Sequence, residues 1–404
     1  MTVVSGLRKF VFREYMVISI LTLVHFLYLS DFLLMMSLGG ELMLFLHITP
    51  PQLGMLITAY TFSAAVFGFL GAFFLDRFER KDSFMFVFTG FVIGIMVCAL
   101  SPNYSVFLCG RIITGAFAGN LMALVLSLLG DTVSRSRTGT ATSIVMSAFS
   151  IASLISIPAG LFLSNEITWR TPFNIIAGIA LVVLICICLF FPETENVSRL
   201  KTPKRALVIL RSVFTNKDLV KILLFMFFLV SSGFSIMLFI SPFLIANVGI
   251  SQSQLASVYF LSGLGSIISG PFIGKIIDRF GEEKIFITCA LISVITTTMI
   301  TSMDGTGKYM AMTMAVLFLI FQNSRFISAT SLMTSRVDAE NRVSLMGINA
   351  SIQQLTGGVS ALISGWILIE SPEGKLMNFE VIGMISVVCT VLSILISSRI
   401  KSIA

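Results

Sequence analysis

Charge is what this sequence is short of. Only 12% of its 404 residues are charged, about half of what a soluble chain carries. The net charge of +7 is scattered over short loops. With no soluble domain to gather it into a patch, it argues against a nucleic-acid partner and for a membrane topology signal. Histidine is nearly absent: His25 and His47 cannot build a metal site alone. Six cysteines (Cys98, Cys109, Cys186, Cys188, Cys289, Cys389) all fall inside apolar runs and read as small buried or lipid-facing hydrophobes. Cys186 and Cys188 are two apart, so on a helix they point in different directions and make a poor metal pair. No phosphate-cradling Gly-x-x-x-x-Gly-Lys-Ser/Thr sequence is present, which argues against ATP as the energy source. No constellation of paired His and Asp marks an interfacial enzyme, so the chain reads as a non-enzyme that calls for no cofactor and no metal.

Long apolar blocks fill the space that charge leaves. The chain is 56% hydrophobic, and LLFMFFLVSSGFSIMLFISPFLI, residues 223–245, has no charge at all. A run of about 20 apolar residues spans a hydrocarbon core as a helix. The runs are continuous rather than alternating, which selects helices over a barrel. Gly, Pro and charge clusters divide the chain into twelve expected spans at 14–37, 52–75, 83–101, 104–129, 138–163, 171–191, 219–246, 253–277, 284–302, 308–334, 343–369 and 378–398. The start, SGLRKFVFREYMVISILTLVHFLYL, has the charged-then-apolar order of a signal peptide. Its apolar run is too long and lacks a small-residue cleavage site, so it reads as a retained first span. The longest polar interruption, residues 192–218, lies at mid-chain and reads as a cytoplasmic linker. The expected organisation is an N-terminal six-helix bundle (1–191), that linker, and a C-terminal six-helix bundle (219–404).

The 27 Lys and Arg test this count. On a twelve-span topology 22 fall on the side of both termini and the linker, and 3 (Arg170, Lys308, Lys375) on the opposite side. That asymmetry places both termini in the cytoplasm. An odd number of spans would scramble it. Arg111 and Arg325 are left over, inside spans.

The halves repeat. GFLGAFFLDRFERKDSF (68–84) and GPFIGKIIDRFGEEKIF (270–286) each place Asp-Arg-Phe eight residues after a glycine, at an offset of 202. Arg137 precedes Gly160 by 23 residues, as Arg342 precedes Gly365. Two six-span repeats imply a transporter-type fold with its site near the midplane between them. These loops resemble the Gly-x-x-x-Asp-Arg-x-Gly-Arg-Lys signature of the major facilitator superfamily. The first copy has Ala72 and Glu79 in place of glycines, and the second has Glu282 and Glu283 in place of basic residues. The fold class expected is therefore an all-α membrane protein, twelve transmembrane helices in two pseudo-symmetric six-helix bundles. In the family this loop latches the cytoplasmic side, which implies gating for Asp76, Arg77, Arg80, Asp278 and Arg279. Read as sequence alone, they are also ordinary topology charges in tight turns.

Asp31 lies inside the apolar LVHFLYLSDFLLMMSLGG (23–40), where an isolated carboxylate costs roughly +2.5 to +3.5 kcal/mol to insert. Arg111, in the oppositely running fourth span, lies at a comparable depth, roughly 10 Å below the outer face. A pair is possible. FLCGRIITGAFAGN (107–120) resembles the fourth-span motif of the drug:proton antiporter branch, which implies a role in proton handling for Arg111 and matches Gly115 to the motif glycine. A buried carboxyl group feels desolvation and a neighbouring cation in opposite senses, so small rearrangements change its proton affinity. Asp31 is the proton-coupling candidate, with a permanent structural ion pair and direct substrate binding as the competing readings.

Arg325, in FLIFQNSRFISATS, has no acid in the nearby spans, which leaves substrate contact or a structural role. LMGINASIQQLTGG (345–358) is polar and small enough to wall a cavity. Tyr28, Met35, Asn120, Phe234, Arg325, Asn349 and Gln353 are the substrate-cavity candidates. The fifth span keeps Pro158 and Gly160 but not the glycine-rich run of the antiporter branch. SIPAGLFLSNEITWRTPF resembles instead the sugar-efflux-like members. The functional expectation is proton-coupled efflux of a small organic molecule by alternating access. The alternative is transport of one specific metabolite, siderophore, sugar or lipid-like solute, by uniport or symport and in either direction. The expected partners are the bilayer, the substrate and protons. The expected setting is a monomer in the cytoplasmic membrane of a bacterium.

Overall fold

The computed structural model describes residues 12–75, 78–134, 137–191, 215–303, 307–336 and 339–400. Its regular structure in these segments is helical apart from one two-stranded hairpin. The first half comprises α1 (Phe12–Ser37), α2 (Gly39–Leu46), α3 (Pro50–Phe74), α4 (Arg80–Ala99), α5 (Tyr104–Thr132), α6 (Thr138–Glu166) and α7 (Thr171–Phe190). The second comprises α8 (Lys217–Met237), α9 (Ile240–Ala246), α10 (Gln252–Phe280), α11 (Glu282–Thr301), α12 (Lys308–Ser335), α13 (Ala339–Ile367) and α14 (Phe379–Ser397). Twelve of these are long, and eleven are long and apolar enough to cross a bilayer. The remaining long helix is α13, 29 residues that contain the polar INASIQQLTGG run. The expected linker at 192–218 lies largely outside the described residues.

Three local features depart from the expected spans, each for a visible reason. The seventh span is broken between α8 and α9, because Pro242 has no N–H to give the carbonyl of Leu238; Phe239 N–H instead bonds Ile236 O at 3.0 Å. The chain beyond the first span forms the extra helix α2, which ends at His47 with a left-handed φ of 51°. The turn after α13 is a hairpin, β1 (Ile369–Glu370) against β2 (Leu376–Met377), turned at Gly374 with φ +78°.

The packing of the two halves shows which end of the molecule is closed. Call the end bearing the α1–α3 and α13–α14 connections the outer end, and the other the terminal end. α3 packs on α13, α6 on α10, and α2 on α9. These pairings are those a two-fold relation between six-span repeats requires. A Cβ on Gly54 would lie 2.7 Å from the carbonyl oxygen of Ala361, so only glycine allows α3 and α13 to meet there. Thr58 Oγ1 donates across the same seam to Gly358 O at 2.8 Å. At the outer end one apolar core runs through both halves, joining Leu38, Leu42 and Leu53 to Leu238, Phe243 and Ala361. At the terminal end the second half keeps a separate core, built from Leu219, Phe225, Phe286, Leu332 and Ile400. The halves are thus sealed at the outer end.

Candidate functional site

α1 supplies the centre of the site. Its i, i+3, i+4 spacing sets Tyr28, Asp31, Phe32 and Met35 along neighbouring faces. Asp31 and Arg111 come together: Arg111 Nη1 donates to Asp31 Oδ1 at 2.9 Å and Oδ2 at 3.0 Å, and both side chains are fully buried. The pair is only half satisfied. Among the described residues Arg111 Nε and Nη2 have no nitrogen or oxygen hydrogen-bond partner, with only the Cys98 thiol beside the guanidinium. The guanidinium carbon lies 4.4 Å from the centroid of the Tyr60 ring, a cation–π contact. The Tyr60 hydroxyl is itself buried without a partner. Gly115 makes this lid possible, since a Cβ there would lie 2.2 Å from Tyr60 O and would push α3 off α5.

From the pair outward, one aromatic layer separates charge from the seam. Tyr60 packs on Phe32 with ring centroids 5.7 Å apart, and Phe32 meets Phe234 of the other half at 6.1 Å. One turn away, Gln354 Nε2 of α13 donates to the Tyr28 hydroxyl at 3.4 Å. Asp31 therefore sits between two side chains that touch the opposite half. α1 is anchored to α6 behind it by Ser30 and Ser156, whose hydroxyls are 2.6 Å apart, and by His25 Nδ1, 3.0 Å from Val145 O. Tyr60 was not legible as a lid in the sequence; a lone tyrosine at mid-depth in an apolar span was the available signal.

The other cavity candidates divide. Tyr28, Phe234 and Gln353 are half-buried near the seam. Asn349 is buried with its Oδ1 unpartnered. Met35 is fully buried in the apolar core, away from open space. Asn120 is committed elsewhere, its Nδ2 donating to Phe67 O at 2.9 Å. Arg325 lies inside the second half between α8, α12 and α14. Nη1 donates to Thr390 Oγ1 at 3.1 Å and Nη2 to Ser232 Oγ at 2.8 Å, with Nε unpartnered and no carboxylate among its bonds.

Of the gating residues, Asp76 and Arg77 lie outside the described residues. Arg80 pairs with Asp131 at the end of α5, within its own half. Asp278 and Arg279 are exposed, with the Arg279 guanidinium over the Phe280 ring at 5.3 Å. The second half carries the reverse arrangement, Glu283 at the start of α11 facing Arg336 after α12 at 3.9 Å. The acids that replace the expected basic residues in the second loop are thus matched by a base where the first half has Asp131. The Trp-Arg element is an outer-end clamp: Arg170 donates to Ser101 O at 3.1 and 2.8 Å and stacks on Trp169, which is buried against Phe107 and Phe173.

A second acid, absent from the sequence expectations, lies past the end of the first span. Glu41 of α2 is 1% exposed, and neither carboxylate oxygen has a hydrogen-bond partner. Burial pushes its pKa up to about 7. It sits in a stretch between spans that reads as an outer loop, where a carboxylate is unremarked; its signal was the apolar LMLFL that follows it.

The sequence pattern of the Major Facilitator Superfamily matches residues 20–361, and a second match covers 223–401. The chain is 23% identical over 384 residues to the uncharacterized MFS-type transporter YbcL of Bacillus subtilis, covering 94% of this chain and 95% of that one. Other curated relatives are matched over about six-tenths of their length. The MFS-type transporter YceJ of Bacillus subtilis is 22% identical over 61% of this chain and 63% of its own. The probable sugar efflux transporter of Helicobacter pylori J99 is 26% identical over 60% of each chain. Among solved structures, a bacterial homolog of the human lysosomal transporter Spinster superposes with a TM-score of 0.79 at 16% identity, over 97% of this chain and 98% of that one. A D-xylose–proton symporter gives 0.75 at 16% identity, over 94% and 97%. At these identities the structural likeness establishes the fold.

Proposed function

Because the chain belongs to the major facilitator superfamily, we propose that this multi-pass membrane protein exports a small organic molecule in exchange for protons, by alternating access. Asp31 takes up and releases the proton, and Arg111 is its counter-charge. The observation that carries this reading is the half-satisfied buried pair, one aromatic layer from the seam between the halves. A proton on Asp31 leaves Arg111 an unpaired buried cation, which a dry core penalises strongly. The protonated state therefore persists only where water or a polar ligand reaches the guanidinium. Parting the Phe32–Phe234 and Tyr28–Gln354 contacts provides that access, so proton occupancy and conformation are coupled. Nothing in this requires a cofactor, and a monomer suffices.

The excess of basic residues on the terminal side supports a topology with both termini in the cytoplasm, and in this reading the cleft between the halves opens on that side. The membrane is then the cytoplasmic one of a bacterium, in line with inner-membrane relatives from Escherichia coli. The tight glycine-mediated seam at the outer end makes this conformation the one that loads from inside. The latch loops then act as the terminal-side gate. In this open-cleft state their charges pair within each half, Arg80 with Asp131 and Glu283 with Arg336, and on closure Asp76, Arg77, Asp278 and Arg279 come between the halves.

A second reading, one hydrophilic metabolite such as a sugar, is favoured by the neutral hydrogen-bonding groups at the seam: the Tyr28 hydroxyl, Gln353, Gln354 and the unpartnered Asn349 Oδ1. Reconstituted vesicles separate the two. An imposed pH gradient should drive solute uphill against proton flow, and an ionophore should stop it. Flux that ignores the gradient leaves facilitated movement of a specific solute. A thermal-shift screen tests the part played by Arg325. Anionic or zwitterionic compounds should raise Tm most, and Arg325→Gln should lose that response; stabilisation by lipophilic cations alone would make Arg325 structural.

A further inference from the structure

Glu41 is an acid that the Asp31 pair does not explain. It lies in the short helix that closes the outer end, where α2 packs on α9, α3 and the end of α1. Pro242 of α9 rests against Gly39 and Gly40 on either side of that contact. Among the described residues, no charge answers Glu41 from the elements around it. α9, Ile240–Ala246, has no ionisable side chain, and α3 carries only Tyr60, engaged with Arg111. On α1, Arg13, Glu14 and Tyr15 lie at the far end, His25 is bound to Val145, Tyr28 to Gln354, and Asp31 is committed to Arg111. His47, at the end of α2 itself, is exposed to solvent. A charged carboxylate with both oxygens bare in such an apolar seam is strongly disfavoured. The seam closes over the neutral acid.

We propose that Glu41 is a second proton-binding site, placed in the outer gate: its carboxyl group takes a proton from the outer water as α2 closes on α9, and returns it there when the two part. This proton is not the one carried across. It sets how readily the outer gate shuts, and the inference rests on the alternating-access part of the reading above. The linkage has a definite sign. With the gate shut the group holds its proton up to about pH 7; once hydrated, it ionises as an ordinary glutamate, near 4.3. Closure is therefore favoured fully below the hydrated value and loses that advantage as pH rises toward 7. Well above 7, the closed-to-open ratio has fallen by about 500-fold. Acid outside would thus shut the outer gate and turn the transporter toward its cytoplasmic-open state, the direction in which a proton gradient drives an exchanger.

The test is a distance measured across the outer end of the full chain in lipid nanodiscs. Spin labels replace exposed Ile167 in the first half and exposed Tyr309 in the second, in a background whose six native cysteines are changed to serine. Between pH 5.5 and 8.5 the wild type should pass from mostly short to mixed short and long distances. In an Asp31→Asn background, where the other coupled acid no longer titrates, Glu41→Gln, nearly the same shape, and Glu41→Leu should both stay short at every pH. Asp31→Asn alone should still shorten the distance toward acid pH, through Glu41. A wild type indifferent to pH, or a Glu41→Gln profile that still tracks it in the Asp31→Asn background, overturns the proposal. So does a response lost in Asp31→Asn and kept in Glu41→Gln. Vesicle flux reads the other reading separately: a working pH-dependent gate without gradient-driven export would end proton exchange and leave Glu41 in place.

Discussion

Asp31→Asn should reduce gradient-driven transport to the level of empty vesicles, while exchange of labelled for unlabelled solute at equal pH continues. An amide presents the same shape to Arg111 but has no proton to give up at any accessible pH. What is lost is the link between proton and solute, and the cleft itself remains. The variant also leaves the guanidinium without a counter-charge in the core. Removing one partner of a buried pair costs about 3–5 kcal/mol, so a lower Tm is expected, and Arg111→Leu should suffer comparably by stranding Asp31. The paired change Asp31→Asn with Arg111→Gln removes both charges and should regain most of the stability. It should not regain uphill flux. That split between stability and coupling distinguishes a proton carrier from a structural ion pair. Full gradient-driven flux in Asp31→Asn would remove the residue from the mechanism.

Gly54→Val should hold the outer end open. The α3–α13 seam brings Ala361 O to 2.7 Å from where a Cβ on Gly54 would be, and the atom in the way is backbone, which cannot swing aside. Gly365 faces the same restriction against Pro50 O, also at 2.7 Å. Overpacking of a close contact costs about 1–3 kcal/mol. If that falls on the sealed state alone, the sealed-to-open ratio drops roughly 5- to 150-fold. The change should appear as a longer outer distance between labels at positions 167 and 309 and as strongly reduced turnover, with Tm little changed because the open state is spared. An unaltered distance in a folded Gly54→Val protein would show that α3 and α13 do not form the gate. The substitution leaves Glu41 and Asp31 in place, so its effect should be independent of pH.

The membrane made most of the architecture legible. Hydrocarbon demands about 20 apolar residues per crossing, and the expected spans match the helices to within a few residues at most ends. The seventh span shows the limit: ISPFL reads as continuous oil, and the missing N–H of Pro242 breaks it. The rise per residue sets Asp31 and Arg111 at the same level, and the structure turns them toward one another. The sequence does not show Tyr60 over the pair, because an aromatic lid depends on which way α3 rotates against α5, and that is set by Gly115 and its neighbours. Glu41 was missed for a related reason. Counting charges by loop treats every carboxylate between spans as solvated, whereas α2 folds this one into the seam.

What the sequence determined alone is whatever a planar bilayer and a fixed rise per residue impose: the long apolar helices, the internal repeat and the common level of Asp31 and Arg111 along their helices. Tertiary structure decided azimuth and partner. It set which face of α1 meets α5 and which meets the opposite half, paired Arg80 with Asp131 and reversed that polarity at Glu283 and Arg336, and closed the outer end through α3 on α13. Depth is a property of one helix in a slab. Facing is a property of two helices in contact, fixed by side chains far apart in the chain.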